Sequence, residues 1–179
     1  ICLIFAAGMT SRAEEPKPNV ILIMTDDQGY GELSSHGHAI LKTPNLDRLR
    51  DESVRLTDFH VSSKCSPTRA ALMTGRHCRH VGVREADNGR NIIGREFSTA
   101  ADVFSANGYS TGIFGKWHLG DPQWYPRRQG FDINIAGCDI GQPPSYFDPY
   151  IHPRYNFDNQ IMPREEGEYL THREGYEAQ

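Results

Sequence analysis

Residues 20–24, Val-Ile-Leu-Ile-Met, form an unbroken apolar run that stops at Thr25-Asp26-Asp27. A run of this length, rich in β-branched residues, predicts a strand buried on both faces. A second strand is predicted over 54–61, and a third over 109–114, ended by Gly115. Helix signals lie between them. Thr43 is the expected N-cap of a helix over 45–51, with Pro44 in its first turn and Leu46 and Leu49 as its apolar stripe. Ser66-Pro67 opens another helix that runs through Met73 and ends at Gly75. Ser98 is expected to cap a third, over 100–106, stopped by Asn107-Gly108. Strand, helix, strand, helix, helix, strand is an α/β order, which favours a partly parallel sheet covered by helices. After Gly120, Pro, Gly, Tyr, Asp and Asn dominate to Pro163 and periodic signals fade, which predicts one long elaborated loop. The stretch from Glu166 to Thr171 reads as the approach to a further helix.

The chain has 179 residues, enough for one domain with a real core. Its net charge is −4 and no basic block is longer than Arg127-Arg128, which excludes the electrostatic footprint of a nucleic-acid binder. The apolar run from Ile1 to Met9, followed by Thr10, Ser11 and Ala13, resembles the end of a signal peptide with a cleavage site near Ala13. It is too short to span a bilayer, so export without a stable membrane span is expected. A buried N-terminal strand is the other reading of this run. Residues 1–15 are thus read as a leader remnant and 16–179 as domain. Of the four cysteines, Cys2 lies in that leader. An exported compartment permits a disulfide between Cys78 and Cys138, leaving Cys65 as the odd thiol; three unpaired thiols is the alternative.

In open α/β sheets, ligands bind beyond the carboxyl ends of strands. Three polar clusters fall at such places. Asp26 and Asp27 follow the opening strand; two adjacent carboxylates repel unless a cation sits between them, and oxygen ligands favour a hard ion such as calcium or magnesium. The alternative is an acidic turn. The second cluster runs from Cys65 to Arg76 and places a cysteine at a helix start, where free amides favour negative charge and a thiolate. A small buried cysteine at a strand–helix join is the plainer reading. In the third, Gly108 to Gly120, a strand delivers Lys116 and His118 between glycines. Lys116 suits an anionic group and His118 suits proton exchange, or the first is a solvated strand end and the second a satisfied structural histidine.

Together these segments resemble the formylglycine-dependent type I sulfatases. The match lies in Asn19 to Asp27, Thr43-Pro44-Asn45-Leu46-Asp47, Cys65 to Arg76 and Gly108 to Gly120, with a weaker echo in Gly130-Phe131-Asp132. It covers 19–132 and touches 168–178. The resemblance implies an alkaline-phosphatase-like α/β fold, a mixed sheet flanked by helices, of which this chain is the N-terminal portion. It implies that a maturation enzyme reading Cys-x-Pro-x-Arg oxidises Cys65 to formylglycine; Cys65, Pro67 and Arg69 keep that core, and Thr68 keeps a hydroxyl where the family more often has serine. The hydrated aldehyde carries two hydroxyls on one carbon. One attacks sulfur and the other drives release, a form of covalent catalysis with a built-in exit.

By the same resemblance, Asp26 and Asp27 ligate calcium together with the modified Cys65, magnesium being less favoured, and the metal polarises the sulfate. Arg69 stabilises charge near the hydrate and metal, Lys116 binds a sulfate oxygen, and His118 hydrogen-bonds the hydrate and assists its deprotonation. The family's further calcium Asp and Asn, its leaving-group His and its second sulfate Lys have no counterpart nominated in 133–179; Asp158-Asn159 is read as surface. The implied reaction is hydrolysis of a sulfate monoester, with a sulfated sugar or glycan as the substrate suggested by export and by the aromatic residues Trp124, Tyr125, Tyr146, Phe147 and Tyr150. Those residues equally suit packing of the long loop. Two alternatives remain: a phosphate or phosphonate ester hydrolase on the same scaffold, and a catalytically silent relative that only binds ligand. His36 with His38, and His77 with Cys78 and His80, imitate metal pairs, but lie in a polar loop and after a helix end respectively.

Overall fold

The structure is a computed structural model that describes residues 17–86, 89, 91–150, 161 and 163–179. The expected leader, and the pair Asp158-Asn159, lie outside the described residues.

Two short parallel strands mark the centre. β1 (Gly112–Phe114) pairs with β2 (Ile133–Ile135) in the register Gly112↔Ile133, Ile113↔Asn134, Phe114↔Ile135. The pairing continues past the strands, where the Gly115 amide donates to the Ile135 carbonyl (2.8 Å) and the His118 amide to the Cys138 carbonyl (2.8 Å). This continuation carries the Lys116–His118 segment alongside 136–138. β2 falls inside the stretch expected to be loop. Its three residues are too few to show a period, and its partner fixes it through Asp132, whose carboxylate accepts from the Thr111 amide at 2.8 Å.

Four α-helices form among the described residues: α1 (Pro44–Asp51), α2 (Cys65–Thr74), α3 (Ala100–Ala106) and α4 (Leu170–Glu177), of which α2 packs on α3 and α4 on β1. At α1, Thr43 is the N-cap residue, but its side chain does not cap the helix amides. Its hydroxyl instead accepts from the Ser34 amide (3.0 Å) and donates to Asp47 (3.1 Å), tying the helix to a 3-10 turn over Ser34–His36. α2 ends where Gly75 turns left-handed, at φ 62°. The expected cap of α3, Ser98, is displaced by one residue. Thr99 is the cap and forms a reciprocal box with Asp102: the Asp102 amide donates to the Thr99 hydroxyl (3.2 Å) and the Thr99 amide to the Asp102 carboxylate (2.8 Å). Thr99 wins because its buried hydroxyl also donates to the Gln129 carbonyl at 2.7 Å. Thr99→Ala is therefore expected to lower stability by about 1–2 kcal/mol, read as a lower denaturant midpoint at unchanged slope.

The main core joins Ala70 of α2 to Val81, Val83, Ile93, Trp117, Leu119, Tyr125 and Cys138. A second cluster seats α4: Ala136, Tyr150, Ile161 and Leu170 pack together. Tyr150 is fully buried and donates to Glu168 at 3.0 Å; burial first, then the Glu168 carboxylate, pushes its phenol up to about 12. No disulfide joins Cys78 to Cys138 among the described residues, although both are buried.

Two expected strands do not form. Residues 20–24 and 54–61 carry no strand pairing, and Ile21, Ile23 and Val54 are 84%, 82% and 89% exposed. A strand that is apolar on both faces needs neighbours in its sheet and a layer on each side. Neither is present among the described residues, so the pattern remains while the pairing does not. The expected third strand, over 109–114, is shortened to β1.

Candidate functional site

α2 begins at Cys65, after Lys64 in extended conformation, so the cysteine sits in the first turn with the helix amides behind it. The third polar cluster meets it there. Cys65 Sγ lies 3.3 Å from His118 Nδ1. The next residue, Ser66, is fully buried and donates its hydroxyl to the His118 carbonyl at 2.8 Å. With the amide of His118 held by Cys138, both backbone polar groups of this residue are fixed. They hold it at φ 57°, a left-handed conformation that a side-chain-bearing residue adopts only when its surroundings impose it.

One turn into α2 lies Arg69. It is 8% exposed. Its Nη1 donates to the Lys116 carbonyl at 2.6 Å and its Nη2 to Asp26 Oδ1 at 3.3 Å. Lys116 Nζ donates to Asp26 Oδ2 at 2.5 Å. Asp26 is thus gripped by two cations. Burial raises its pKa, but the Lys116 and Arg69 contacts outweigh that and hold it below the usual carboxylate range. The His118 imidazole is held below its ordinary value, first by burial and then by the charges of Lys116 and Arg69, with Asp26 and a hydrogen bond to the Ala86 carbonyl opposing. A neutral ring can donate to Ala86 and accept at Nδ1, the nitrogen that faces Cys65.

The structure therefore brings Asp26, Cys65, Arg69, Lys116 and His118 into one network, although they come from three separated segments. Asp27 stands beside them, exposed and left-handed at φ 54°. Asp26, Asp27 and Cys65 are not gathered into a three-ligand cluster among the described residues, because the Asp26 carboxylate is turned to Lys116 and Arg69. Thr68, in the variable place of the cysteine motif, directs its hydroxyl to the carbonyls of Ser62 (3.0 Å) and Lys64 (2.9 Å).

Sequence reasoning missed three contributors. Ser66 tethers His118, yet it sits in an unconstrained position of the motif and signals nothing by type. Ala86 contributes only its carbonyl. Gly141 lies against the imidazole: a Cβ there would come within 2.6 Å of His118 Cε1. The glycine content of that loop was visible, but not which glycine faces the ring. The two histidine pairs do other work. His36 stacks on Tyr30 with centroids 4.3 Å apart, and His77 tilts against His80 at 5.7 Å. Of the aromatic residues in the long loop, Tyr125 and Tyr150 are core, while Tyr146 and Phe147 are exposed.

Comparison with known proteins identifies the family of the chain. The family model described as Sulfatase matches residues 18–175. Arylsulfatase A from Homo sapiens is 43% identical over 138 residues, which is 73% of this chain and 27% of that protein. N-acetylgalactosamine-6-sulfatase from Rattus norvegicus is 33% identical over 170 residues, 88% of this chain and 30% of that protein. The crystal structure of Ps i-CgsB superposes with a TM-score of 0.72 at 30% identity, covering 91% of this chain and 40% of that one. The chain thus spans less than a third of the length of these two curated relatives. Its mixed α/β architecture with a small parallel sheet is part of the alkaline-phosphatase-like fold of its structural neighbours. On the extent of the family match, together with the meeting of the cysteine and lysine–histidine segments in one site, the chain belongs to the sulfatase family.

Proposed function

We propose that the protein hydrolyses a sulfate monoester, using a nucleophile made from Cys65, and that 16–179 is the N-terminal portion of its catalytic domain. The observation that carries this reading is the contact between Cys65, at a helix start, and Nδ1 of His118, with Arg69 and Lys116 on the flank. Maturation by a formylglycine-generating enzyme would convert Cys65 to an aldehyde whose hydrate supplies two hydroxyls on one carbon. Cys65, Pro67 and Arg69 keep the sequence such an enzyme reads.

The chain's own residues divide the remaining work. His118 takes a proton at Nδ1 from the group at position 65, and its depressed basicity keeps it neutral and ready to accept. Ser66, Cys138 and Gly141 hold the ring in place. Lys116 and Arg69 offer fixed positive charge to a sulfate oxyanion, and their low exposure strengthens that attraction. Asp26 keeps both cations aligned until the anion arrives.

Asp26 and Asp27 would hold calcium. The fit is one of donor type and charge: both offer hard carboxylate oxygens, and Asp26 already draws two cationic groups to one point. Bound there, calcium would supply charge that polarises a sulfate oxygen. The substrate proposed is a sulfated sugar: Ps i-CgsB has been crystallised with k-i-k-neocarrahexaose, and relatives at about a third identity are named N-acetylgalactosamine-6-sulfatase. An exported location fits this substrate and the N-terminal apolar run; among the described residues no helix is long and apolar enough to cross a membrane.

Paired substrates test the reaction class. With Cys65 converted and calcium present, the whole protein should hydrolyse an aryl sulfate faster than the matching aryl phosphate. A preference for phosphate would move the assignment to a phosphate or phosphonate hydrolase on the same scaffold.

A further inference from the structure

Arg69 donates through both Nη atoms, yet its Nε is buried and meets no hydrogen-bond partner among the described residues. An orphaned buried donor on a charged group is costly, so something nearby must offset it. A carboxylate that feels the Arg69 charge comes from α4, far along the sequence. There the Glu174 carboxylate lies on the bare backbone of Gly115: a Cβ on that glycine would sit 3.0–3.2 Å from its carboxylate atoms. Gly115 is left-handed at φ 93° and directly precedes Lys116, whose carbonyl receives Arg69 Nη1. Glu174 therefore sits against the residue next to Lys116, beside the segment whose carbonyl Arg69 holds. Burial raises its pKa, and the Arg69 charge is the one influence that lowers it. No hydrogen bond to this carboxylate exists among the described residues, and nothing in the proposed mechanism uses it.

We propose that Glu174 is a positioning residue of the anion site: seated on Gly115 beside Lys116, its carboxylate supplies countercharge to Arg69 and fixes the guanidinium that holds Asp26 and the Lys116 carbonyl. This rests on the sulfatase reading and adds to it a residue from α4. It also explains why position 115 has no side chain beyond its backbone angle, since any Cβ would displace the carboxylate. A buried carboxylate with a raised pKa binds protons more tightly in the folded state. Its contribution to stability therefore falls as pH rises from its ordinary value of 4.5.

The test is a double-mutant cycle in the whole, Cys65-converted enzyme with Glu174→Gln, Arg69→Lys and the pair. Glu174→Gln is expected to lower kcat on an aryl sulfate about tenfold while KM moves by less than about twofold. Its thermal midpoint at pH 7 should be unchanged or higher. In the Arg69→Lys background the same substitution should cost less than about twofold more, because its route of action is already gone. An unchanged kcat, a full second loss in the Arg69→Lys background, or a kcat loss matched by a lower midpoint each overturns the proposal. A wild-type enzyme that turns over no aryl sulfate contradicts the sulfatase reading instead, and side-chain proton exchange then decides this one. Exchange at Arg69 Nε should quicken in Glu174→Gln, and equal rates in the two proteins overturn it.

Discussion

Cys65→Ala is expected to lower kcat by more than about 10⁴-fold in the matured whole protein, since the proposed nucleophile is removed. The fold should survive. Cys65 is only partly buried and occupies the first turn of α2, where alanine is a good helix former. The neighbouring contacts that position His118, from Ser66 and Cys138, do not involve the thiol. An unchanged circular dichroism spectrum and thermal midpoint alongside lost turnover would assign the effect to chemistry. Ordinary turnover in Cys65→Ala would remove Cys65 from the reaction.

Asp26→Asn is the second large effect. The substitution keeps the shape of the side chain and deletes its charge. Lys116 and Arg69, which approach Asp26 to 2.5 and 3.3 Å, are then left facing each other without an anion between them. Both are largely buried, so their repulsion is weakly screened. Lys116 should swing away, and the proposed calcium would lose one of its two carboxylates. A fall in kcat of on the order of 10³-fold is expected, with calcium titration by calorimetry becoming flat. The His118 imidazole would move further below its ordinary value, because Asp26 is one of the groups that support its protonated form. Unchanged calcium affinity in Asp26→Asn and Asp27→Asn alike would refute the metal assignment.

The site was more legible in the sequence than the sheet that surrounds it. Cys65 to Arg76 announces a helix start, an anion-friendly terminus and a glycine stop within one short segment, and α2 follows that reading almost residue for residue. The Lys116–His118 placement was legible because Gly115 and Gly120 bracket a strand end. What could not be read was which partner each residue takes. Ser66, Ala86 and Gly141 act through a hydroxyl, a carbonyl and an absent side chain, and none of these has a spacing signature. Glu174 reaches the site through the packing of Leu170 and Tyr150, contacts that no local pattern encodes.

The sheet illustrates the opposite failure. The run at 20–24 has the composition of a central strand, but pairing is a property of two segments, and the second is not among the described residues. The three-residue β2 is too short to show a period, yet it pairs because Thr111 and Asp132 lock its register. At α3 the choice between Ser98 and Thr99 was decided by Gln129, thirty residues further on. Local chemistry placed the cap to within one residue and tertiary contact chose between the two.

The most direct measurement is mass spectrometry of the tryptic peptide containing Cys65, from the whole protein produced together with a formylglycine-generating enzyme. The account predicts a peptide lighter than the cysteine form by the thiol-to-aldehyde difference, accompanied by its hydrate. Unmodified Cys65 throughout would contradict it, and would turn attention to Thr68 and to a relative that binds sulfate esters without cleaving them.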